Sequence, residues 1–126
     1  MKRVIIPAII LMAFSTPVLA DELSCSIHPA KDTSDSDLPG LTKISKDDAQ
    51  KTALAEVKGK HKKVESGELE SENGCLIYSF DVRVSGKPGV EEIMVDAGNG
   101  KMLSHQHEAP GKEAAEKAQD EKSQKP

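Results

Sequence analysis

Two histidines near the end of the chain have a spacing that suits metal binding. His105 and His107 are separated by one residue, so both side chains would point to the same face of an extended strand. Glu108 or His28 would supply a third ligand, and copper or zinc would be the natural ion for imidazole nitrogens. However, a strand that runs into a solvated tail carries polar residues by default. We therefore assign no metal ligand from the sequence, and keep a metal-binding or small-ligand-binding protein as the alternative function.

The two cysteines, Cys25 and Cys75, have only each other as an intramolecular partner. They lack the C-x-x-C spacing of redox-active or metal-binding thiol pairs. In an exported chain the oxidising compartment favours pairing, and closing a loop of this size contributes about 4 kcal/mol in the chain-entropy model. We predict a structural disulfide between them, with two free thiols or an intermolecular pair as the alternatives.

The sequence does not predict catalysis. Its Asp and Glu residues fall at helix starts, in turns and in the C-terminal tail. Outside the first 20 residues only Tyr78 and Phe80 supply aromatic rings, and a folded part of about 65 residues leaves little volume for a pocket. We predict a protein that is not an enzyme, with no catalytic residue and no cofactor.

The first 20 residues have the pattern of a cleavable secretory signal. Lys2 and Arg3 precede an apolar run over residues 4–14, and small residues follow that end at Ala20. The run is shorter than the roughly 20 residues that span a bilayer. We predict cleavage near Ala20 and a periplasmic or secreted protein without a membrane span in its mature form.

The remaining chain is acidic. Removing Lys2 and Arg3 reduces the 17 basic residues to 15, against 21 Asp and Glu, for a formal charge of −6. This balance argues against nucleic acid as a partner, because phosphate binding needs clustered positive charge. We expect a polar N-terminal arm or linker over residues 21–40, one domain over 41–108, and a charged disordered tail over 109–126.

One helix is predicted over residues 46–58. Ser45 is a good N-cap, and Asp48 three residues later approximates a capping box. Gly59 is a plausible stop. Apolar residues recur at helical spacing along one face: Ala49, Ala53, Leu54 and Val57.

Extended segments follow the helix. A polar strand over 64–72, with a possible bulge at Gly67, leads into the hairpin turn at Asn73 and Gly74. The longest strand covers 75–84, and shorter ones cover 91–96 and 101–104. The fold class is therefore α+β, with one N-terminal helix on a three- to four-stranded antiparallel sheet. On the longest strand, Leu76, Tyr78, Phe80, Val82 and Val84 face one way, and Cys75, Ile77, Ser79, Asp81 and Arg83 face the other.

Taken together, residues 41–104 resemble the PepSY domain, a small module of protease propeptides and of stand-alone exported bacterial proteins. The matching motifs are residues 44–49 at the helix start, residues 75–82, and residues 93–103, which are similar to the family pattern V-x-V-D-A-x-x-G-x-V-L. Gly98 departs from the residue that is usual at the start of this turn, which would loosen the turn without changing the fold. The resemblance implies a binding module that restrains or assists a protease. Because no protease domain is attached, it would act on an exported protein in trans.

An apolar patch is predicted on the sheet face away from the helix. Ile77 and Met94 lie there beside Cys75. A disulfide would lay Leu23 and Ile27 over this patch, so both a covered patch and a partner surface remain open. The other candidate binding surface is an exposed sheet edge that pairs with an extended segment.

Overall fold

The computed structural model describes residues 24–111, so the predicted signal and nearly all of the predicted tail lie outside the described residues. The four strands form one antiparallel sheet in the order β1-β2-β3-β4. This confirms the predicted α+β class, with four strands and the helix before the sheet. The elements in chain order are a 3-10 helix (Asp35–Leu41), α1 (Lys46–Glu56), β1 (Lys62–Glu72), β2 (Cys75–Val84), β3 (Val90–Asp96) and β4 (Met102–Glu108).

The helix begins as its sequence predicts and ends two residues earlier. The Ser45 hydroxyl accepts a hydrogen bond from the Asp48 amide at 3.1 Å, which satisfies one of the free donors of the first turn. Val57 is extended rather than helical. The Lys62 ammonium donates to the carbonyls of Leu54 and Val57, so β1 supplies the cation that stabilises the helix end.

The β1–β2 hairpin has the predicted turn but a different irregularity. Asn73 and Gly74 have φ values of 48° and 78°, as expected for an Asn-Gly turn. The bulge lies between Val64 and Ser66, so the prediction of a bulge at Gly67 is wrong. Gly67 pairs in register with Phe80 instead, and a Cβ there would lie 2.8 Å from the Phe80 ring. The glycine therefore makes room for the aromatic ring.

The helix-facing side of the sheet carries the main core, as the alternation of β2 predicts. Ala49 and Ala53 are fully buried, which lets α1 lie close to the strands. Ile27 and Leu38 from the N-terminal segment pack into the same cluster. The buried strand residues of this cluster are Leu76, Tyr78, Phe80, Val82, Val84, Ile93 and Val95, and Ala97 joins it from the turn after β3.

The N-terminal segment is part of the folded unit from residue 24 onward. We expected residues 21–40 to form a polar arm or linker, but Leu38 in the 3-10 helix is only 2% exposed. The Ile27 carbonyl accepts a hydrogen bond from the Leu76 amide at 3.0 Å, beside the start of β2. Ile27 and Leu38 therefore pack an otherwise polar segment against the sheet. We call residues 24–34 the arm.

The outer face of the sheet carries a second, smaller apolar cluster of Cys75, Ile77 and Met94. Cys25 and Leu103 cover it, and Ile77 is fully buried. Ile27 lies in the main core instead, so the expectation that it covers this patch is wrong; Leu23 is outside the described residues. The patch is therefore covered by the disulfide and β4, and does not offer a free apolar surface.

The contact between Gly67 and Phe80 gives a test of the hairpin packing. We expect Gly67→Ala to lower the free energy of unfolding by about 1 to 3 kcal/mol, because the added methyl group overlaps the Phe80 ring and β1 must shift. Gly40→Ala is the matched control, since no atom lies within 4 Å of a Cβ built there. Denaturant unfolding of both variants measures the difference. Equal stability for the two would contradict the packing described.

Candidate functional site

A disulfide joins the arm to the first residue of β2. Cys25 and Cys75 are bonded at an Sγ–Sγ distance of 2.01 Å, with their Cα atoms 5.9 Å apart. Beside them the His28 Nδ1 donates to the Gly74 carbonyl at 3.0 Å. Ligand atoms of Cys25, His28 and Cys75 lie within 4.8 Å of one another, but both sulfurs are used in the bond. In this oxidised form the group is a structural link.

Asp96 is the second link between the arm and the sheet. It is a fully buried carboxylate at the end of β3. Its Oδ2 accepts from the Ser26 amide at 2.7 Å, and its Oδ1 accepts from the Ser26 hydroxyl at 2.6 Å. Oδ1 also accepts from the amides of Gly98 and Asn99, at 2.7 and 3.2 Å. These bonds join the carboxylate both to the backbone of the β3–β4 turn and to the arm.

The hydrogen bonds decide the ionisation of Asp96. Burial disfavours the charged carboxylate, but the Ser26 hydroxyl and the amides of Gly98, Ser26 and Asn99 outweigh it and hold the pKa of Asp96 below its usual value. Asp96 is therefore ionised at neutral pH, and each of its bonds is charge-assisted.

Gly98 has a role that its position in the turn does not reveal. A Cβ on this residue would lie 2.1 Å from the Ser26 hydroxyl oxygen and 3.0 Å from the Ile27 side chain. The absence of a side chain at Gly98 thus leaves space for the arm to pack against the turn. We expected it to loosen the turn, but here it lets Ser26 reach Asp96.

His105 and His107 share one face of β4 as predicted, and their third neighbour is Glu91. In the sheet register Glu91 is opposite His107, and Ile93 is opposite His105. The His105 Nε2 lies 2.9 Å from one carboxylate oxygen of Glu91, and the His107 Nδ1 lies 3.0 Å from the other. Glu108 and His28 were the third ligands considered from the sequence. Neither of them takes part in these two contacts.

Glu91 was missed because β4 was predicted to end at residue 104. Extending that strand to Glu108 would not have been enough, because the register shifts between Met94 and Val95 and this shift places His107, rather than Gln106, opposite Glu91. Burial alone would raise the pKa of Glu91, but hydrogen bonding and the charge of the two imidazoles lower it overall. The carboxylate is ionised at neutral pH.

The outer face of the sheet is strongly acidic. Besides the buried Asp96, the register places six carboxylates from all four strands on it: Glu68, Glu70, Glu72, Asp81, Glu92 and Glu108. Burial and neighbouring carboxylates raise the pKa of Glu70 to about 7 and the pKa of Glu92 to about 7. A face of this kind repels anions and attracts basic groups.

A groove of about 440 Å³ lies between the 3-10 helix and β1, bounded by Asp35 and by residues 68–72 of β1. Its lining is mainly carboxylates, with Leu69 and Ser71 between them. The 3-10 helix therefore flanks the outer edge of β1. On the other side of the sheet, β4 pairs with β3 alone among the described residues.

Within the described residues, a 3-10 helix and one α-helix precede a four-stranded antiparallel sheet, which defines a small α+β module. Within residues 24–111 no helix is both long and apolar enough to cross a bilayer. The profile of the PepSY family, described as peptidase propeptide and YPEB domain, matches residues 43–106. The chain belongs to this family, as its motifs suggested. No curated protein and no solved structure matches the chain at a significant level.

Because Asp96 accepts four hydrogen bonds, we expect even a conservative substitution of its side chain to destabilise the protein strongly. Asp96→Asn replaces one acceptor oxygen by an NH₂ group that faces donors, so we expect the free energy of unfolding to fall by about 2 to 3 kcal/mol. Gly98→Ala should act in the same direction by displacing Ser26. Asp32→Asn, at an exposed position of the arm, is the control and should change little. Urea unfolding at pH 7 measures all three; an Asp96→Asn protein as stable as the control would contradict the assignment.

The acidic outer face predicts that stability falls as pH rises. A carboxyl group whose pKa is raised in the folded state stabilises it fully below the unfolded value near 4.5, and this contribution is lost as pH rises through about 7. We expect the doubly substituted Glu70→Gln, Glu92→Gln protein to exceed the wild type at pH 8 by about 1 kcal/mol, after allowance for solvent screening. At pH 5 the two proteins should have nearly equal stability. Thermal unfolding of both proteins from pH 5 to pH 8 measures this difference in stability. A difference that is the same at every pH would contradict the raised pKa values of Glu70 and Glu92 as its cause.

Proposed function

We propose that this protein is a non-catalytic binding module that restrains a protease, or another exported protein, in trans. Its membership of a family named for peptidase propeptides is the observation that carries the proposal. The match spans α1 and the sheet as far as Gln106, so it covers the helix and nearly all of the strands. The target in this proposal is a separate exported chain.

The β4 edge is the surface best suited to an extended partner segment. An edge strand offers unpaired amides and carbonyls that can hydrogen-bond to another strand. The β1 edge is flanked by the 3-10 helix, interrupted by a bulge, and carries several charges, which are common protections against pairing. By contrast, β4 has only Glu108 as a charged residue besides its two histidines.

The charge of the neighbouring surface favours a basic partner. Glu92 on β3 and Glu108 on β4 lie on the outer face next to this edge. A segment that pairs with β4 and carries Lys or Arg on the same face would place cations beside these carboxylates. A partner that binds in this way needs no pocket, which suits a module with a small core.

Export is the setting that we infer for this activity. The predicted signal over residues 1–20, with cleavage near Ala20, would deliver the chain to the periplasm or the medium. The Cys25–Cys75 bond is consistent with an oxidising compartment. The polar composition of residues 109–126 supports a solvated tail beyond the domain.

Inhibition and hydrogen exchange test the proposal together. We expect the purified protein to lower the peptidase activity of at least one exported protease of its source, and the complex to slow amide exchange in β4. The Glu92→Gln, Glu108→Gln protein should bind more weakly at low salt, whereas Glu56→Gln on α1 should not.

Two outcomes would count against different parts of the proposal. If none of the exported proteases is bound or inhibited by an excess of the protein, the proposed restraint of a protease is wrong. If a protease is inhibited but protection appears in β1 or α1 rather than β4, the docking edge is wrong and the function stands.

A further inference from the structure

The backbone of the β3–β4 hairpin brings three possible metal ligands together. Glu91 and His107 are directly opposite one another in the antiparallel register, and His105 precedes His107 by two residues on the same face. Directly opposed residues have Cβ atoms about 4.5 to 5.5 Å apart. The register thus places all three side chains next to one another on one face of the sheet.

The side chains themselves converge. One imidazole nitrogen of each histidine lies within 3.0 Å of the Glu91 carboxylate, and each ring uses a different oxygen. Glu91 is only 18% exposed, while His105 and His107 are 33% and 50% exposed. The carboxylate is therefore less accessible to solvent than the two rings that contact it.

The donor set selects a class of ion. Two imidazole nitrogens and one carboxylate oxygen suit late first-row divalent ions, whereas magnesium and calcium prefer oxygen ligands alone. Bonds of about 2.0 to 2.2 Å to these donors require the carboxylate and both imidazole rings to turn toward a common point, because each nitrogen now contacts a different carboxylate oxygen. Water would complete the coordination, because the two rings are exposed.

We propose that His105, His107 and Glu91 form a binding site for one zinc or copper(II) ion. The site joins β3 to β4 on the helix-facing side of the sheet, away from the six carboxylates of the outer face. It differs from the group around the disulfide, whose sulfurs are bonded to each other. The proposal does not depend on a protease partner, since it concerns the isolated chain.

Calorimetry with zinc chloride tests the site. The protein should carry no polyhistidine tag, and reducing agents should be omitted so that Cys25 and Cys75 stay bonded. We expect one zinc ion per chain. The His105→Ala, His107→Ala protein should lose this binding, and Glu91→Gln should weaken it by at least about tenfold.

The other two histidines of the chain provide the matched controls. His28→Ala and His61→Ala should bind zinc as the wild type does. In proton NMR spectra of the wild type, zinc should shift the ring resonances of His105 and His107 and leave those of His28 and His61 in place. Circular dichroism of the zinc-free variants checks that each is folded. The NMR experiment uses the wild type, so its result does not depend on the folding of any variant.

Three results would overturn the proposal. The first is the absence of one-to-one zinc binding by the wild type, which would leave only ion pairs between Glu91 and the two histidines. The second is undiminished binding by the His105→Ala, His107→Ala protein. The third is a zinc-dependent shift of the His28 or His61 resonances without any shift of the other two.

Discussion

The ionised carboxylate of Asp96 is a buried charge, and the structure around it follows from the need to satisfy that charge. An uncompensated carboxylate inside a protein costs several kcal/mol, so it must be surrounded by donors. Two of these donors, the amides of Gly98 and Asn99, shape the β3–β4 turn. The other two come from Ser26, which lies 70 residues away in the chain. One side chain thus fixes both the hairpin and the position of the arm.

Once Ser26 is fixed, its neighbours have little freedom. Cys25 lies against the outer apolar cluster and bonds to Cys75, while Ile27 enters the main core on the opposite side of the sheet. The arm therefore closes the end of the sheet where β2 begins and β3 ends. The disulfide and the Asp96 cluster act on adjacent residues, so they reinforce one another rather than hold separate parts of the molecule. This arrangement compensates for a core that is small and contains only two aromatic rings.

The two faces of the sheet differ in chemistry as well as in packing. The helix-facing side is apolar at its centre and carries Glu91, His105 and His107 beyond it, whereas the outer side gathers six carboxylates. Mutual repulsion and partial burial leave two of these, Glu70 and Glu92, only partly ionised at neutral pH. Such a surface favours basic groups over anions.

The sequence alone determined the local structure of this protein. Ser45 starts the helix, Asn73 and Gly74 make the hairpin turn, and strict alternation along β2 assigns each residue to a face, because all three depend on neighbours close in the chain. Only the tertiary structure decided what distant segments do to one another. It brought Ser26 to Asp96 through the space left at Gly98, and Glu91 between His105 and His107. Those contacts depend on the length of β4 and on the position of the polar arm. Both are determined by a few apolar contacts and hydrogen bonds between residues that are far apart in the chain.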